Sequence, residues 1–448
     1  MDISLDERRP TPALLPGALA ARIATPTRPP AEQAQAARRL PWLVAGLVAT
    51  WLACEAAALA GYSDSPARLA AVNLIILPHF PISLAGMFVF YLCVNPRGRD
   101  LAVLGAVAAG LATAMKLLDL VGGWTTPPGY CACAGIGFAS LGMLVTHAVH
   151  SAGEARKQAV SVLLTALLVL GSIPLIFFFL TLTIQLHPTT LDAVAYAADG
   201  TLGTQVTFVL GRLFASVPAL AMVPGVVYVT LPLAFVVIVV LHLRESGPPV
   251  LEVLPTFLAV AVSGFCIYNF FPVVGPLYAF EGVYPHAAPP VADVLAAPLA
   301  VPEVPRNCMP SLHTAWALVI FWQARPLARW VRVMAGVYLA FTVLATVGYG
   351  AHYVFDLVVA FPSTLACQAL CMLVPPSVNR LRLGTLLCGV VLTVTWLVLL
   401  RWGLAVLSVS PLLTAPAALA TVIGCVWLER RLYLAARQPR EMVEAAAA

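Results

Sequence analysis

Long apolar runs separated by short polar or basic stretches make up most of the chain. A helix that crosses a membrane needs about 20 apolar residues, and about twelve runs approach or exceed this length. The predicted spans are 41–61, 69–94, 101–121, 131–150, 158–184, 222–243, 250–272, 309–324, 330–349, 352–374, 384–405 and 411–428. Lipid leaves backbone groups without water, so such runs must form helices. The predicted fold class is an all-α polytopic membrane protein.

Composition supports this class and excludes others. Hydrophobic residues make up 61% of the chain, charged residues make up 10%, and the mean hydropathy is +0.92. These values exclude a water-soluble globular protein. The net charge of +5 is spread between the apolar runs and forms no single basic patch. The sequence therefore indicates membrane lipids as its surroundings and no nucleic-acid partner.

Polar and proline-rich stretches divide the predicted spans into groups. Residues 1–40 are rich in Pro, Ala and Arg without an apolar signal-peptide core, which is typical of a disordered cytoplasmic tail. Residues 185–221 begin polar and favour an interfacial helix, and the proline-rich stretch 273–308 predicts an ordered loop over a site. The predicted units after the tail are a five-helix bundle (41–184), a catalytic core (185–375), and two C-terminal helices with a cytoplasmic tail (376–448).

Basic residues fall mainly in alternate loops of the twelve-span topology. Lys and Arg mark cytoplasmic loops, and this arrangement leaves only Arg68, Arg212, Arg306 and Arg401 on the opposite side. Both termini are therefore predicted to be cytoplasmic, with the 273–308 loop external. The Arg-rich, Lys-poor composition is typical of a GC-rich bacterium. We expect a bacterial inner-membrane protein whose site faces the periplasm.

Three ionisable residues lie at the ends of predicted spans, where charge is costly in lipid and function is the default interpretation. His352 and Asp356 are four residues apart, which predicts one face of a helix. The carboxylate would fix the imidazole tautomer and leave the other nitrogen as a nucleophile. His313 follows Pro310 and Ser311 at a helix start, where backbone amides and the Ser311 hydroxyl can hold phosphate and the imidazole can act as a general acid.

Other polar residues in the spans have simpler interpretations. Lys116 and Asp119 are three residues apart, which favours a structural ion pair over a substrate pathway. A metal site formed by His313, His352 and Asp356 is the weaker alternative, because the sequence shows no further acidic or thiol ligand. No metal and no cofactor are therefore predicted.

The motifs PSLH (310–313) and HYVFD (352–356) carry a family resemblance. They resemble the second and third signature motifs of the type 2 phosphatidic acid phosphatase superfamily. PSLH, and the tyrosine directly after His352, are similar to its inositol phosphorylceramide and sphingomyelin synthase branch. The resemblance covers about residues 190–375 and implies a six-helix core. It also implies that His352 forms a phosphohistidine, that Asp356 orients it, and that His313 protonates the leaving group.

The chain departs from the phosphatase branch where that branch binds phosphate. Ala345 and Thr346 stand where the third motif carries Ser-Arg, and Leu277 stands where the first motif often carries arginine. Arg306 is the predicted replacement cation, with a plain interfacial anchor as the alternative. The predicted substrate-binding residues are Tyr268, Asn269, Gly275, Pro276, Arg306, Pro310, Ser311 and Tyr349.

The resulting hypothesis is a membrane-embedded lipid phosphotransferase at the external face. It would pass a phosphoryl-containing head group from a lipid-linked phosphate to an alcohol acceptor. Transfer to water, which would make the protein a lipid phosphate or pyrophosphate phosphatase, is the alternative within the superfamily. A lipid transporter or flippase is the alternative from another class, since about twelve spans with intramembrane charge also fit a transporter.

Overall fold

A computed structural model describes residues 30–76, 78–123, 125–246 and 250–447. Residues 1–29 of the predicted disordered tail lie outside the described residues. The first helix begins at Pro30, before the predicted span start at residue 41. The described residues form helices and connecting turns, without strands. The predicted all-α polytopic membrane class is confirmed.

The helices are numbered here in chain order. They are α1 Pro30–Leu59, α2 Pro66–Ile76, α3 His79–Tyr91, α4 Gly98–Gly122, α5 Pro128–His150, α6 Gly153–Leu186, α7 Asp192–Gly200, α8 Val206–Ser216, α9 Pro218–Val229, α10 Leu231–Ser246, α11 Val250–Phe270, α12 Pro276–Ala279, α13 Val291–Ala296, α14 Leu312–Gln323, α15 Arg329–Gly348, α16 Val354–Cys371, α17 Asn379–Trp402, α18 Leu404–Leu407 and α19 Pro411–Ala447. Two short 3₁₀ helices cover Leu92–Val94 and Pro376–Val378.

The number of spans is smaller than the sequence predicted. Within the described part of the chain, nine helices are long and apolar enough to cross a membrane, or up to eleven if each of two bent helix pairs is one span. The nine cover the predicted spans other than 69–94, 222–243 and 309–324, and one bent pair, α2 with α3, covers the first of these. Ser311 caps the N-terminus of α14 and the helix ends at Gln323, so it is only 12 residues long.

The stretch predicted as one interfacial helix, 185–221, forms shorter helices instead. α7 is followed by α8 and α9, which meet at a bend of 113°. Proline lacks a backbone N–H and disfavours helical dihedrals in the residue before it. Val217, which precedes Pro218, accordingly has φ −131° and ψ 77°. The predicted span 222–243 is also interrupted, because α9 ends at Val229 and α10 begins at Leu231.

Buried side chains of the N-terminal helices pack directly against the core. Phe90 of α3 and Val169 of α6 belong to the same hydrophobic cluster as Val236 of α10, Leu254 of α11 and Ile320 of α14. Protein interiors are close-packed, so side chains in one buried cluster are in contact with one another. The N-terminal helices therefore form part of the wall that surrounds α14, the helix that carries His313.

The proline-rich loop at 273–308 is ordered and contains α12 and α13. Its two ends are joined, because the Cys308 N–H donates to Val273 O at 3.1 Å. The Leu277 N–H donates to Gly350 O at 2.8 Å, and the Tyr196 hydroxyl of α7 donates to Pro289 O at 2.6 Å. These bonds hold the loop beside the segment that carries His352.

Candidate active site

His352 lies in the turn before α16, and not on the helix as its spacing from Asp356 predicted. Its Nδ1 lies 3.0 Å from Cys308 O and 3.3 Å from Asp356 Oδ2. A carbonyl oxygen can only accept a hydrogen bond, so Nδ1 carries the hydrogen and Nε2 keeps its lone pair. The residue is only 4% exposed. The predicted contact between His352 and Asp356 is present, although the backbone geometry differs.

Asp356 occupies the first turn of α16 and is fully buried. Its Oδ2 accepts the Tyr353 N–H at 2.8 Å, which satisfies one of the free amides at the helix start. Its Oδ1 has no hydrogen-bond partner among the described residues. A buried carboxylate oxygen without a partner is costly, and such atoms are typical of functional sites.

His313 lies in the first turn of α14 and faces His352. The two imidazole rings have their centroids 6.3 Å apart at 61°. The ring of Tyr228, from α9, stacks on His313 with centroids 3.9 Å apart and an angle of 14°. The structure thus brings His313, His352 and Asp356 together, and Tyr228 fixes the plane of the His313 ring.

The predicted residues Pro310 and Ser311 hold the two motifs together. The Ser311 N–H donates to the backbone oxygen of Asp356 at 3.0 Å, and Ser311 Oγ accepts from Thr314 N at 3.3 Å. The Tyr268 hydroxyl donates to Pro310 O at 3.3 Å. These contacts place Tyr268, Pro310 and Ser311 beside the histidines, with the Ser311 oxygen already serving as a helix cap.

Gly275 packs against the turn that carries His352. Its φ is +90°, and an added Cβ would lie 2.5 Å from Ala351 O and 3.0 Å from Cys308 Sγ. Only glycine fits such a backbone conformation and such a close approach. Pro276 follows at the start of α12 and is buried. This part of the predicted first-motif segment therefore supports the His352 turn.

A buried aspartate at the start of α7, Asp192, joins this segment to the His352 turn. Its carboxylate accepts the N–H groups of Val274 and Gly275 at 3.0–3.2 Å and the hydroxyl of Tyr353 at 2.9 Å. Burial raises the pKa of Asp192, while these hydrogen bonds act in the opposite direction. Sequence reasoning missed this residue, and the polar character of the stretch after His187 was its only local signal.

A second buried aspartate of α7, Asp199, caps α16. Its two oxygens accept the Val354 N–H at 2.7 Å and the Phe355 N–H at 3.1 Å. Burial is the main reason that the pKa of Asp199 is raised to about 8, and the nearby Asp356 raises it further. α7 therefore fixes the start of the helix that carries Asp356.

Two other predicted residues have contacts outside the histidine group. Asn269 Nδ2 donates to Phe265 O, and its Oδ1 lies 3.0 Å from His187 Nε2. Tyr349 is 37% exposed, and its hydroxyl donates to Ala221 O of α9 at 2.8 Å. The structure does not bring Tyr349 to the histidines. Asn269 contacts the end of α6.

Arg306 is 3% exposed, and its guanidinium donates to carbonyls of the protein itself. Nε donates to His187 O at 3.0 Å, and Nη1 donates to Pro302 O at 2.9 Å and to Val304 O. Burial lowers the pKa of Arg306, although Asp192 and Glu303 raise it in part. These bonds tie the loop to the end of α6, and the contact of Arg306 with phosphate stays a prediction.

Cys308 and His79 are further residues that the sequence did not assign to this site. The Cys308 carbonyl fixes His352, and its thiol donates to Ala351 O at 3.1 Å. The ring of His79, at the start of α3, lies 5.8 Å from that of His313, and its Nε2 is buried without a hydrogen-bond partner among the described residues. Cys308 lies two residues before PSLH, whereas His79 belongs to no local motif, so only the fold could place His79 here.

Cys308, His352 and Asp356 also form a group of possible metal ligands whose donor atoms lie within 4.8 Å of one another. Metal binding by cysteine requires a thiolate. Burial raises the pKa of Cys308 well above its usual value, and its S–H is engaged with Ala351 O. The donor set therefore fits a metal ion poorly and fits hydrogen bonding to His352 well.

The comparison with known families covers the segment that contains all three predicted catalytic residues. Residues 194–370 match the family model of the PAP2 superfamily. The match indicates an enzyme of the phosphatase or phosphotransferase type. The PAP2 segment begins within α7 and ends within α16, so α1 to α6 and the last helices lie outside it. No curated protein and no solved structure matches the chain.

Proposed function

We propose that the protein is a membrane-embedded lipid phosphotransferase that works through a phosphohistidine on His352 at the external membrane face. The observation that carries the proposal is the double anchoring of His352 Nδ1 by Cys308 O and Asp356 Oδ2. It leaves Nε2 as a lone-pair nitrogen in a buried site that also contains a second imidazole. The PAP2 match supports phosphorus as the electrophile.

In the first step, the Nε2 lone pair of His352 attacks phosphorus and forms a P–N bond. The P–O bond to the departing lipid breaks, and His313 gives a proton to the departing oxygen. The imidazolium of His352 is stabilised by the Asp356 carboxylate, which is within reach of Nδ1. The helix start at α14 offers backbone amides to the phosphate oxygens.

In the second step, His313 takes the proton of an acceptor hydroxyl. The acceptor oxygen attacks phosphorus, and the P–N bond to His352 breaks. An alcohol acceptor gives transfer, and water gives hydrolysis. The synthase-like residues around PSLH and HYVFD, together with the absence of the third-motif arginine, favour the alcohol.

The test uses purified protein in lipid nanodiscs with phosphatidic acid or phosphatidylinositol as donor, and with ceramide or diacylglycerol as acceptor. We expect transfer of a phosphoryl-containing group to the alcohol and an acid-labile phosphohistidine, both abolished by His352→Ala. Inorganic phosphate release without transfer would establish the phosphatase instead. Lipid movement that survives His352→Ala without any turnover would establish a transporter and overturn the proposal.

The role of His313 is tested through the leaving group. His313→Ala should lower the rate with a lipid alkoxide as leaving group by at least about 100-fold, which is the usual contribution of general acid catalysis. A nitrophenyl leaving group needs no proton and should restore phosphohistidine formation. Equal losses with both substrates would show that His313 does not act as the acid.

A further inference from the structure

An apolar cavity lies between the N-terminal helices and the PAP2 segment. Its volume is about 380 Å³, within the range of about 300–1,000 Å³ that is typical of ligand pockets. α1, α6 and α11 supply most of its walls, with residues such as Leu47, Phe179, Leu258 and Phe265. Leu312, the residue before His313, lines the same cavity.

The cavity walls offer almost no hydrogen-bonding capacity. The hydroxyl of Thr50 donates to Gly46 O at 2.8 Å, and that of Ser172 donates to Val169 O at 2.7 Å. The Tyr268 hydroxyl at one end donates to Pro310 O. These hydroxyl groups already donate within the protein, and the remaining side-chain donor of the lining is the indole N–H of Trp42, so an occupant gains mainly apolar contacts. Hydrocarbon is the ligand chemistry that fits such a lining.

The length of the cavity along α11 matches one leaflet of a membrane. Along α11 the lining runs from Leu258 to Tyr268, which is about 15 Å at the helical rise of about 1.5 Å per residue. This is half of the roughly 30 Å hydrocarbon thickness of a bilayer. The end at Tyr268 and Leu312 adjoins the catalytic motif PSLH.

We propose that this cavity holds one hydrocarbon chain of the lipid substrate while its phosphate lies between His313 and His352. The inference rests on the proposed function and deepens it by assigning a binding site to the hydrocarbon chain of the substrate. It also gives α1 and α6 a role, because both helices lie outside the PAP2 segment and supply walls of the cavity. The PAP2 segment itself contributes α11 and Leu312 to the lining.

Gly46 is an exposed residue of the cavity lining at which a larger side chain can be added without a clash. It lines the cavity, and an added Cβ would meet nothing within 4 Å. Gly46→Phe should raise KM for a lipid phosphate with 16-carbon chains about tenfold, with turnover of an 8-carbon analogue unchanged. Ala261→Phe, on the opposite wall, should have the same effect. Gly105→Phe is the matched control, because Gly105 lies on exposed α4 and also has open space around it.

A second measurement does not depend on turnover. Phosphatidic acid with a photoreactive group in its acyl chain should label peptides of α1 and α11 in the inactive His352→Ala protein. The 16-carbon lipid should compete with this labelling, and Gly46→Phe should abolish it. Labelling without any turnover by the wild-type protein would refute the proposed function and keep the chain site. Two results would refute the chain site. One is wild-type turnover that does not depend on chain length. The other is an equal loss of turnover for both chain lengths in Gly46→Phe and Ala261→Phe.

Discussion

Two groups of ionisable residues lie among the apolar helices, and they differ in how completely their polar atoms are paired. In the Lys116 group, Asp119 accepts from Lys116 Nζ at 2.8 Å and from both the amide and hydroxyl of Thr126. Lys116 Nζ also donates to Thr126 O at 2.8 Å. The predicted ion pair of Lys116 and Asp119 is confirmed. This group satisfies itself and fixes the turn after α4.

The His352 group is left incomplete by comparison. Asp356 Oδ1 and His79 Nε2 are buried without partners among the described residues, although both lie in or beside the same group of imidazoles. Unpaired buried polar atoms cost about 1–3 kcal/mol each, so a fold retains them where they have another use. Both groups place charge among apolar helices, so charge alone is a weak signal of function, and the pairing of the polar atoms around it is what separates these two groups.

The largest expected effect that separates the two groups comes from replacing their carboxylates. Asp356→Asn should lower kcat roughly a thousandfold, because a neutral amide cannot stabilise the His352 cation as a carboxylate does. Asp119→Asn should leave kcat unchanged and lower the thermal unfolding temperature, since it weakens the ion pair with Lys116. Turnover assays and thermal unfolding of both variants measure these effects. Loss of kcat in Asp119→Asn would break the distinction.

A glycine substitution tests how closely the His352 turn must be supported. Gly275→Ala should lower kcat at least tenfold, because its Cβ would collide with Ala351 O at 2.5 Å, one residue before His352. Gly282→Ala is the control, since it has a similar φ of +80° but nothing within 4 Å of its Cβ. Both variants carry the same backbone strain, about 1 kcal/mol. If both lost the same activity, strain and not the collision would explain the result.

The unpaired nitrogen of His79 gives a smaller test of the comparison. His79→Gln should lower kcat/KM about fivefold. The unpaired Nε2 beside His313 would no longer be available to bond the substrate, and a single neutral hydrogen bond is worth about 1 kcal/mol. His147→Gln is the matched control within the N-terminal helices, where the ring packs against Tyr91. Kinetics with a lipid phosphate measure both variants. Unchanged kinetics in His79→Gln would remove His79 from the site.

The smallest expected effect concerns the pH dependence of stability. Between its ordinary pKa of 3.8 and its raised value of about 8, folded Asp199 holds a proton that the unfolded chain has released. Stability from this group is therefore present below pH 3.8 and is lost as pH rises toward 8. Thermal unfolding temperatures at pH 5 and pH 8 should differ less in Asp199→Asn than in the wild type. An unchanged difference would contradict the assignment.

The candidate catalytic residues could be named from the sequence because their signals are local. PSLH and HYVFD each contain the residue and the backbone that positions it, so His313, His352 and Asp356 could be named from spacing. Asp192, Tyr228 and His79 reach the same place from distant parts of the chain, and no local pattern links them to it. Their contributions depend on helix packing, which periodicity does not reveal.

The fold class was predictable from hydrophobicity alone, whereas the division into helices was less so. An apolar run does not show where the backbone turns within it. The interruption near Thr230 therefore divided the predicted span 222–243 between two helices, and the bend at Pro218 divided the predicted interfacial helix before it. The start of α16 at Val354 also moved His352 off the helix, although its contact with Asp356 was retained.

The geometry of the candidate site depends on main-chain atoms as much as on side chains. Cys308 O positions His352, and the amide of Ser311 is bonded to Asp356 O. The apolar residues of the cavity take no part in these bonds. Under the proposed chain site, exchanging the residues at Gly46 or Ala261 would alter which lipids are accepted without touching these bonds. Reaction chemistry and lipid preference would then be separable traits.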